Sequence, residues 1–196
     1  MRRLVSAIFL DRDGTINIDN DYVYQINDFH FIEGVIEAMQ KLKKMGFSLV
    51  LVTNQSGLAR GLFSKEQFMR LMEWMESILA KFCFSLDGVY FCPHHPQAAP
   101  QALHKGCDCR KPKPGMLLDA QRDLNIDMAS SYMVGDKMDD MLAGEAAGVG
   151  KRILVCSGKK VTEEARAISD LVINSLAILP AAIKKRQSDM LRFINY

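Results

Sequence analysis

The sequence predicts an α/β fold, a doubly wound parallel sheet flanked by helices. Three observations carry this. Short apolar runs recur along the chain and look buried on both faces. Helical patterns fill the gaps between them. Polar clusters follow the runs, where a parallel sheet presents the carboxyl ends of its strands.

The runs are "VSAIFL" (5–10), "FSLVLV" (47–52), "GVYF" (88–91), "SYMV" (131–134) and "RILV" (152–155), with "DLVI" (170–173) as a sixth candidate. Strand–helix–strand alternation needs crossover connections, and these make neighbouring strands parallel. The first helix is predicted over 33–45, with Gly46 placed to end it. The second, 64–82, opens with Ser64 and has Gln67 three residues on, the spacing of a capping box. Its Met, Leu, Trp and Phe stripe is read as core packing. The third, 114–124, has Pro114 near its first turn, where a missing N–H costs nothing. Two more are predicted over 139–148 and 176–187, Pro180 either interrupting the last or marking its true start. Residues 92–113 are irregular, proline-dotted and poor in large apolar groups. The tail 188–196 carries no assignment, so one domain is expected over 1–187.

The totals narrow the function. A length of 196 residues with 48% hydrophobic composition suits a single globular domain. A net charge of +2 without charge blocks argues against a nucleic-acid footprint. No segment is long and apolar enough for a bilayer span. The start, "MRRLVSAIFLDRD", has the charge of a signal peptide but no small-residue cleavage site, and reads as a first strand. A cytoplasmic, monomeric protein is expected, with thiols reduced.

Four polar clusters carry the chemistry. In "DRDGT", Asp11 and Asp13 lie two residues apart at a strand end, where their charges repel. A hard divalent cation between them removes that conflict and leaves positions open for phosphate. Asp11 suits a nucleophile and Asp13 a proton donor and acceptor, with Gly14 allowing close backbone approach. Thr53 and Asn54, in "TNQSG", offer hydroxyl, amide and backbone donors to phosphate oxygens. Arg110 and Lys111 supply the fixed positive clamp that a phosphoryl group in transfer requires. Asp136, in "VGDKMDD", completes a cation site or caps a helix; Asp139 or Asp140 stands behind it, and Lys137 adds a cation.

This ordered set resembles the haloacid-dehalogenase-like phosphatases over nearly all of residues 5–185. The resemblance implies that Asp11 attacks phosphorus, that Asp13 protonates the leaving alcohol and then activates water, and that Thr53 and Lys111 hold the phosphoryl oxygens. It implies Mg²⁺ held by Asp11, the Asp13 carbonyl and Asp136. Lys137 departs from the paired aspartate of many relatives. Only about 20 residues separate Asp13 from Glu33, too few for a cap domain, so the loop between must shape the pocket.

Three of the five cysteines fall within 18 residues. Cys92-x-His94 and Cys107-x-Cys109 supply three thiols and an imidazole in two tight pairs, a set that Zn²⁺ takes tetrahedrally in structural sites. His95 and His104 compete with His94, His95 the more seriously. Cys83 and Cys156 are left as core thiols. A zinc staple here would fix the neighbouring Arg110 and Lys111. The same loop is similar to that of phosphatases acting on sugar bisphosphates; histidinol-phosphate phosphatase domains share the loop type and are the alternative. The sugar-bisphosphate pattern implies substrate contacts from Asp19, Asn20, Asp21, Tyr22, Thr53, Asn54, Gln55, Ser56, Arg110, Lys111 and Lys137, with Arg110 on the unreacting phosphate. A phospho-accepting receiver domain combines similar residue types but places its aspartate after a central strand. A zinc-dependent nucleic-acid module is disfavoured by the near-neutral charge.

Overall fold

The structure, a computed structural model, describes residues 4–96 and 107–194. Six strands form one sheet: β1 Ala7–Leu10, β2 Ser48–Asn54, β3 Gly88–Cys92, β4 Tyr132–Gly135, β5 Lys151–Val155 and β6 Leu171–Ile173. Every pairing is parallel and the order is β3-β2-β1-β4-β5-β6. All six predicted strands are present. β2 runs on through Thr53 and Asn54, so these two lie in the strand itself rather than in a turn beyond it.

β1 shows why the sheet is double-faced. Ile8 and Leu10 pack into one core, Ala7 and Phe9 into the other, and all four are fully buried. Period-two alternation sends successive side chains to opposite faces, so a strand covered on both sides must be apolar throughout. Helices α1 (Val35–Lys44), α3 (Lys65–Lys81) and α7 (Leu179–Ile194) cover the first face. Helices α4 (Gly115–Leu124) and α5 (Met138–Ala146) cover the second. Two short helices, α2 (Ser56–Ala59) and α6 (Glu163–Ala167), were not anticipated; runs this short carry little periodicity.

The capping box on α3 forms as expected: the Ser64 hydroxyl accepts from the Gln67 N–H, and the Gln67 side chain accepts from the Ser64 N–H. It contributes about 1 kcal/mol. Burial of Phe68, Leu71, Met72, Met75 and Leu79 outweighs it, at about 1.5–3 kcal/mol for each side chain. The stripe is core, as predicted. Pro180 lies in the first turn of α7, after a 3₁₀ turn at Leu176–Ile178. That helix runs to Ile194, so 188–194, which the sequence left unassigned, continue it. The loop after Asp13 is anchored on α3 through Phe29 and Phe31, whose rings lie 5.5 and 6.2 Å from Trp74.

Candidate active site

The strand order reverses direction around β1: β2 and β3 lie on one side of it, β4 to β6 on the other. That switch leaves a crevice beyond the strand ends. A cavity of about 240 Å³ opens there. Of the predicted residues it is lined by Asp11, Asp13, Asp19, Asp21, Tyr22, Thr53, Asn54, Gln55, Ser56, Arg110, Lys111 and Lys137. Asp136 lies buried behind the lining, and Asn20 lines the adjacent hollow with Tyr24 and His30.

Asp11 follows β1 directly and is buried, its N–H bonded to Val134 O of β4. Lys111 reaches it from the loop after β3. The Lys111 Nζ donates to Asp11 Oδ1 at 2.8 Å, to Val52 O at 2.7 Å and lies 2.6 Å from Asp140 Oδ1. Three acceptors match three ammonium protons, so a lysine only 2% exposed is fully satisfied. Burial alone would lower the Lys111 pKa; the Asp11 and Asp140 charges overcome it and the pKa is raised. Burial likewise disfavours charge on Asp11, yet Lys111 and Lys137 hold its carboxyl below the usual range.

Asp11, Asp136 and Asp140 place carboxylate oxygens within 4.8 Å of one another. Asp140, the residue the sequence could not separate from Asp139, is therefore a member of the cluster. Burial pushes its pKa up to about 7, with Asp11 and Asp136 adding repulsion and Lys111 opposing it. Burial and then Asp11 raise Asp136 as well. Asp136 Oδ2 accepts the Lys159 N–H at 2.8 Å, while Oδ1 is buried without a hydrogen-bond donor. A Cβ on Gly14 would lie 2.5 Å from Asp136 Oδ2, and one on Gly158 only 2.1 Å. Gly14 also has φ +83°. Only glycine fits this approach. An oxygen-only cluster of three carboxylates facing two lysines, in which Asp136 Oδ1 has no hydrogen bond and only the Lys137 ammonium at 3.4 Å, suits a hard cation.

Asp13 stands at the cavity wall. Arg12 Nη2 approaches its two oxygens at 2.8 and 2.9 Å, Asn17 Nδ2 donates at 3.0 Å and Gln55 Nε2 at 3.2 Å. Gln55 Nε2 also donates to Thr53 Oγ1 at 2.9 Å, tying two site residues together. Arg12 is fully buried and was not anticipated; its signal was a cation between two aspartates at the end of an apolar strand. Asn54, expected to offer donors to phosphate, lines the cavity; its side-chain amide also grips the Lys111 backbone, accepting the N–H at 3.1 Å and donating to the carbonyl at 3.0 Å. Asn54→Ala is expected to cost about 2 kcal/mol for two hydrogen bonds. It should also lower kcat by more than tenfold through displacement of the lysine. Thermal melts and steady-state kinetics check both, and unchanged kcat would detach Asn54 from the clamp.

The second cluster sits beside Arg110. Cys92, His94, Cys107 and Cys109 hold their ligand atoms within 4.8 Å. The sulfurs are separated by 3.1–3.4 Å, and His94 Nδ1 lies 3.7 Å from Cys92 and 3.5 Å from Cys109. Zinc–sulfur and zinc–nitrogen bonds of ordinary length give tetrahedral edges of about 3.5–3.8 Å, close to this spacing. His94 joins the set; His95 turns its Nε2 to Arg60 at 3.2 Å. His104 lies outside the described residues. Burial raises Cys92 and Cys109, whereas thiol hydrogen bonds lower Cys107 against its burial. Arg110 Nη1 donates to the His94 carbonyl at 3.2 Å. Cys83 and Cys156 are exposed, which corrects their reading as core thiols: both fall just beyond their elements, outside the packed layers.

Comparison with known proteins agrees with this geometry. A family model described as "HAD-hyrolase-like" matches residues 108–179. A D-glycero-beta-D-manno-heptose-1,7-bisphosphate 7-phosphatase of Photorhabdus laumondii is 60% identical over 184 residues, 94% of this chain and 98% of that protein. The protein of the same name from Escherichia coli K12 is 60% identical over 187 residues, covering 95% and 98%. A crystal structure of D,D-heptose 1.7-bisphosphate phosphatase from B. bronchiseptica, complexed with magnesium and phosphate, superposes with TM-score 0.79 at 31% identity, covering 93% of this chain and 99% of that one. Sequence identity at this level over almost the whole length, on the same fold, makes the chain a haloacid-dehalogenase-like phosphatase of the heptose-bisphosphate 7-phosphatase family.

Proposed function

We propose that the chain hydrolyses the 7-phosphate of D-glycero-D-manno-heptose 1,7-bisphosphate through an aspartyl-phosphate on Asp11. This would place it in the route to ADP-activated heptose for lipopolysaccharide cores. The observation that carries the reaction is the buried Asp11–Lys111–Asp140 contact beside Asp136. The relatives' names, at 60% identity, direct it to this substrate.

Asp11 attacks phosphorus, forming one P–O bond while the bond to the sugar oxygen breaks. Lys111 holds Asp11 Oδ1, which fixes the carboxylate's rotation and places a cation where phosphoryl charge spreads. Asp13 gives a proton to the departing oxygen. It then takes one from the water that attacks the phosphorus, and the P–O bond to Asp11 breaks to restore the carboxylate. Thr53 supplies a hydroxyl to the phosphoryl oxygens. Asp11, Asp136 and the Asp13 carbonyl would hold Mg²⁺, with Asp140 beside them; the ion would offset phosphate charge. Cys92, His94, Cys107 and Cys109 would hold Zn²⁺ as a structural ion. A reduced, cytoplasmic setting and a single-domain monomer complete the reading, the domain expected over 1–187 extending with α7 to Ile194; five cysteines without a disulfide suit that setting.

Three buried carboxylates facing two lysines should share a proton below about pH 7 when no cation lies between them. Mg²⁺ binding should displace that proton. Asp140 at about 7 sets the sign: affinity should rise with pH up to that value and then level. Titrating Mg²⁺ into protein stripped by chelator, at about pH 6 in weak buffer, should release up to about one proton for each ion bound. Affinity independent of pH would refute the arrangement.

Substrate choice is tested by kcat/KM for heptose 1,7-bisphosphate against histidinol phosphate. The bisphosphate should win, since Arg110 offers a guanidinium to a second phosphate that histidinol phosphate lacks. Arg110→Ala should cost the bisphosphate roughly ten- to a hundredfold in kcat/KM, the loss of a charge-assisted pair. It should cost the monophosphate much less. Equal losses would remove Arg110 from that role, and a preference for histidinol phosphate would overturn the assignment.

A further inference from the structure

Lys159 belongs to the "SGKK" segment after β5 and lines the cavity mouth. Its backbone N–H is committed to Asp136 Oδ2 at 2.8 Å, so the residue's position is set by the carboxylate cluster. Its side chain does something separate. The ammonium reaches Asp21 Oδ1 at 3.0 Å and Asp19 Oδ2 at 3.1 Å. Lys137 stands 3.7 Å from the same Asp19 oxygen. At the other end of this short segment, the Arg60 guanidinium lies 5.9 Å from the Tyr22 ring centroid.

The segment these contacts hold is sterically unfavourable by itself. Asp21 and Tyr22 have φ +50° and +53°, two successive non-glycine residues in the left-handed region. Such conformations persist when surrounding contacts over-determine them. Asp19 is nearly buried, at 9% side-chain exposure, against two ammonium groups. Asp19, Asp21 and Tyr22 all line the cavity.

We propose that Lys159 is a positioning residue for substrate recognition: its ammonium pins the Asp19–Tyr22 strap over the cavity mouth, so that the strap meets the sugar already ordered. This deepens the heptose-bisphosphate reading and rests on it for the choice of substrate. The strap takes the place of a cap domain. A small aryl phosphate needs only the cavity floor, whereas a sugar bisphosphate must also meet the strap.

The test compares Lys159→Ala, Lys159→Arg, Asp21→Asn and the Lys159→Ala/Asp21→Asn double variant. Lys159→Ala keeps the backbone N–H on Asp136 and removes only the ammonium. KM for heptose 1,7-bisphosphate should rise about tenfold, the scale of losing two half-exposed ion pairs. The change in kcat should be smaller, and so should the loss with p-nitrophenyl phosphate. Lys159→Arg should restore most of the KM, and the double variant should lose less than the product of the two single losses, because the singles share the Lys159–Asp21 pair. Hydrogen exchange of amides 18–23 should quicken in Lys159→Ala. Equal losses on both substrates, additive variants or unchanged exchange would each overturn the proposal. Failure of the substrate reading shows separately, as a wild-type protein without preference for the bisphosphate, while exchange and coupling still report on the pin.

Discussion

Asp11→Asn should lower turnover by about 10⁴-fold or more, the scale seen when a nucleophile is removed from a preorganised site. Nearly the same shape is retained, so the loss is chemical. An amide oxygen does not displace a sugar alkoxide from phosphorus at a useful rate. Folding should survive the change. Asn weakens one contact of Lys111, which keeps Asp140 at 2.6 Å and Val52 O at 2.7 Å. The substitution also removes repulsion among three buried carboxylates, and these effects oppose each other. Melting temperature should therefore shift little. The measurement is a rapid acid quench with substrate labelled in the 7-phosphate. Wild type should yield labelled protein during turnover and Asp11→Asn none. Normal turnover by the variant, or no labelled wild type at any quench time, would end the covalent mechanism.

Loss of the Zn²⁺ proposed for the cysteine site should have the second largest effect, and it should reach the active site. Cys107→Ser is the preferred substitution, because Cys92 is fully buried at the end of β3 and its loss would also disturb the core. Arg110 follows Cys109 directly, its guanidinium held by the His94 carbonyl, and Lys111 is next. The proposed Zn²⁺ would tie Cys92 and His94, at the end of β3, to Cys107 and Cys109 and so hold the Arg110–Lys111 segment in place. A displacement of about 1 Å at Lys111 is enough to cost roughly a hundredfold in rate. Cys107→Ser, assayed with Mg²⁺ in excess, should show that order of loss in kcat with a lower melting temperature. Metal analysis of wild type should find about one zinc per chain, the stoichiometry of a closed four-ligand site. Wild-type protein prepared without chelators but free of zinc would exclude the staple. A variant with full kcat would separate it from catalysis.

How much could be read beforehand differs by residue. Asp11, Thr53 and Asp136 were legible because each stands at or beside a strand end, and parallel strands bring those ends together; Lys111, in the long loop after β3, was legible only from its place in the ordered set of motifs. The cysteine set was legible because paired spacing already satisfies half the geometry of a tetrahedral site. Arg12 was not. An arginine between two aspartates looks solvated, and only the packing of Val23 and Phe68 around it shows full burial. Asn54 was placed at the cavity, but the bond of its side chain to the Lys111 backbone was not legible, since Lys111 lies 57 residues away. Lys159 was missed although it follows a strand like the others; its partners belong to a loop 138 positions earlier. Asp139 and Asp140 are adjacent in sequence, and the helix beginning at Met138 decided between them by burying Asp140.

Residue order alone determined the layered sheet and the crevice, and the ordered polar motifs carried the resemblance that implied the reaction class. Those depend on apolar periodicity and on which residue types end each strand, and both are local. The tertiary structure decided which ions pair: Lys111 with two aspartates, Arg12 with Asp13, Lys159 with the strap. Charge pairing falls steeply with distance and rises with burial, and both quantities exist only once distant segments have packed.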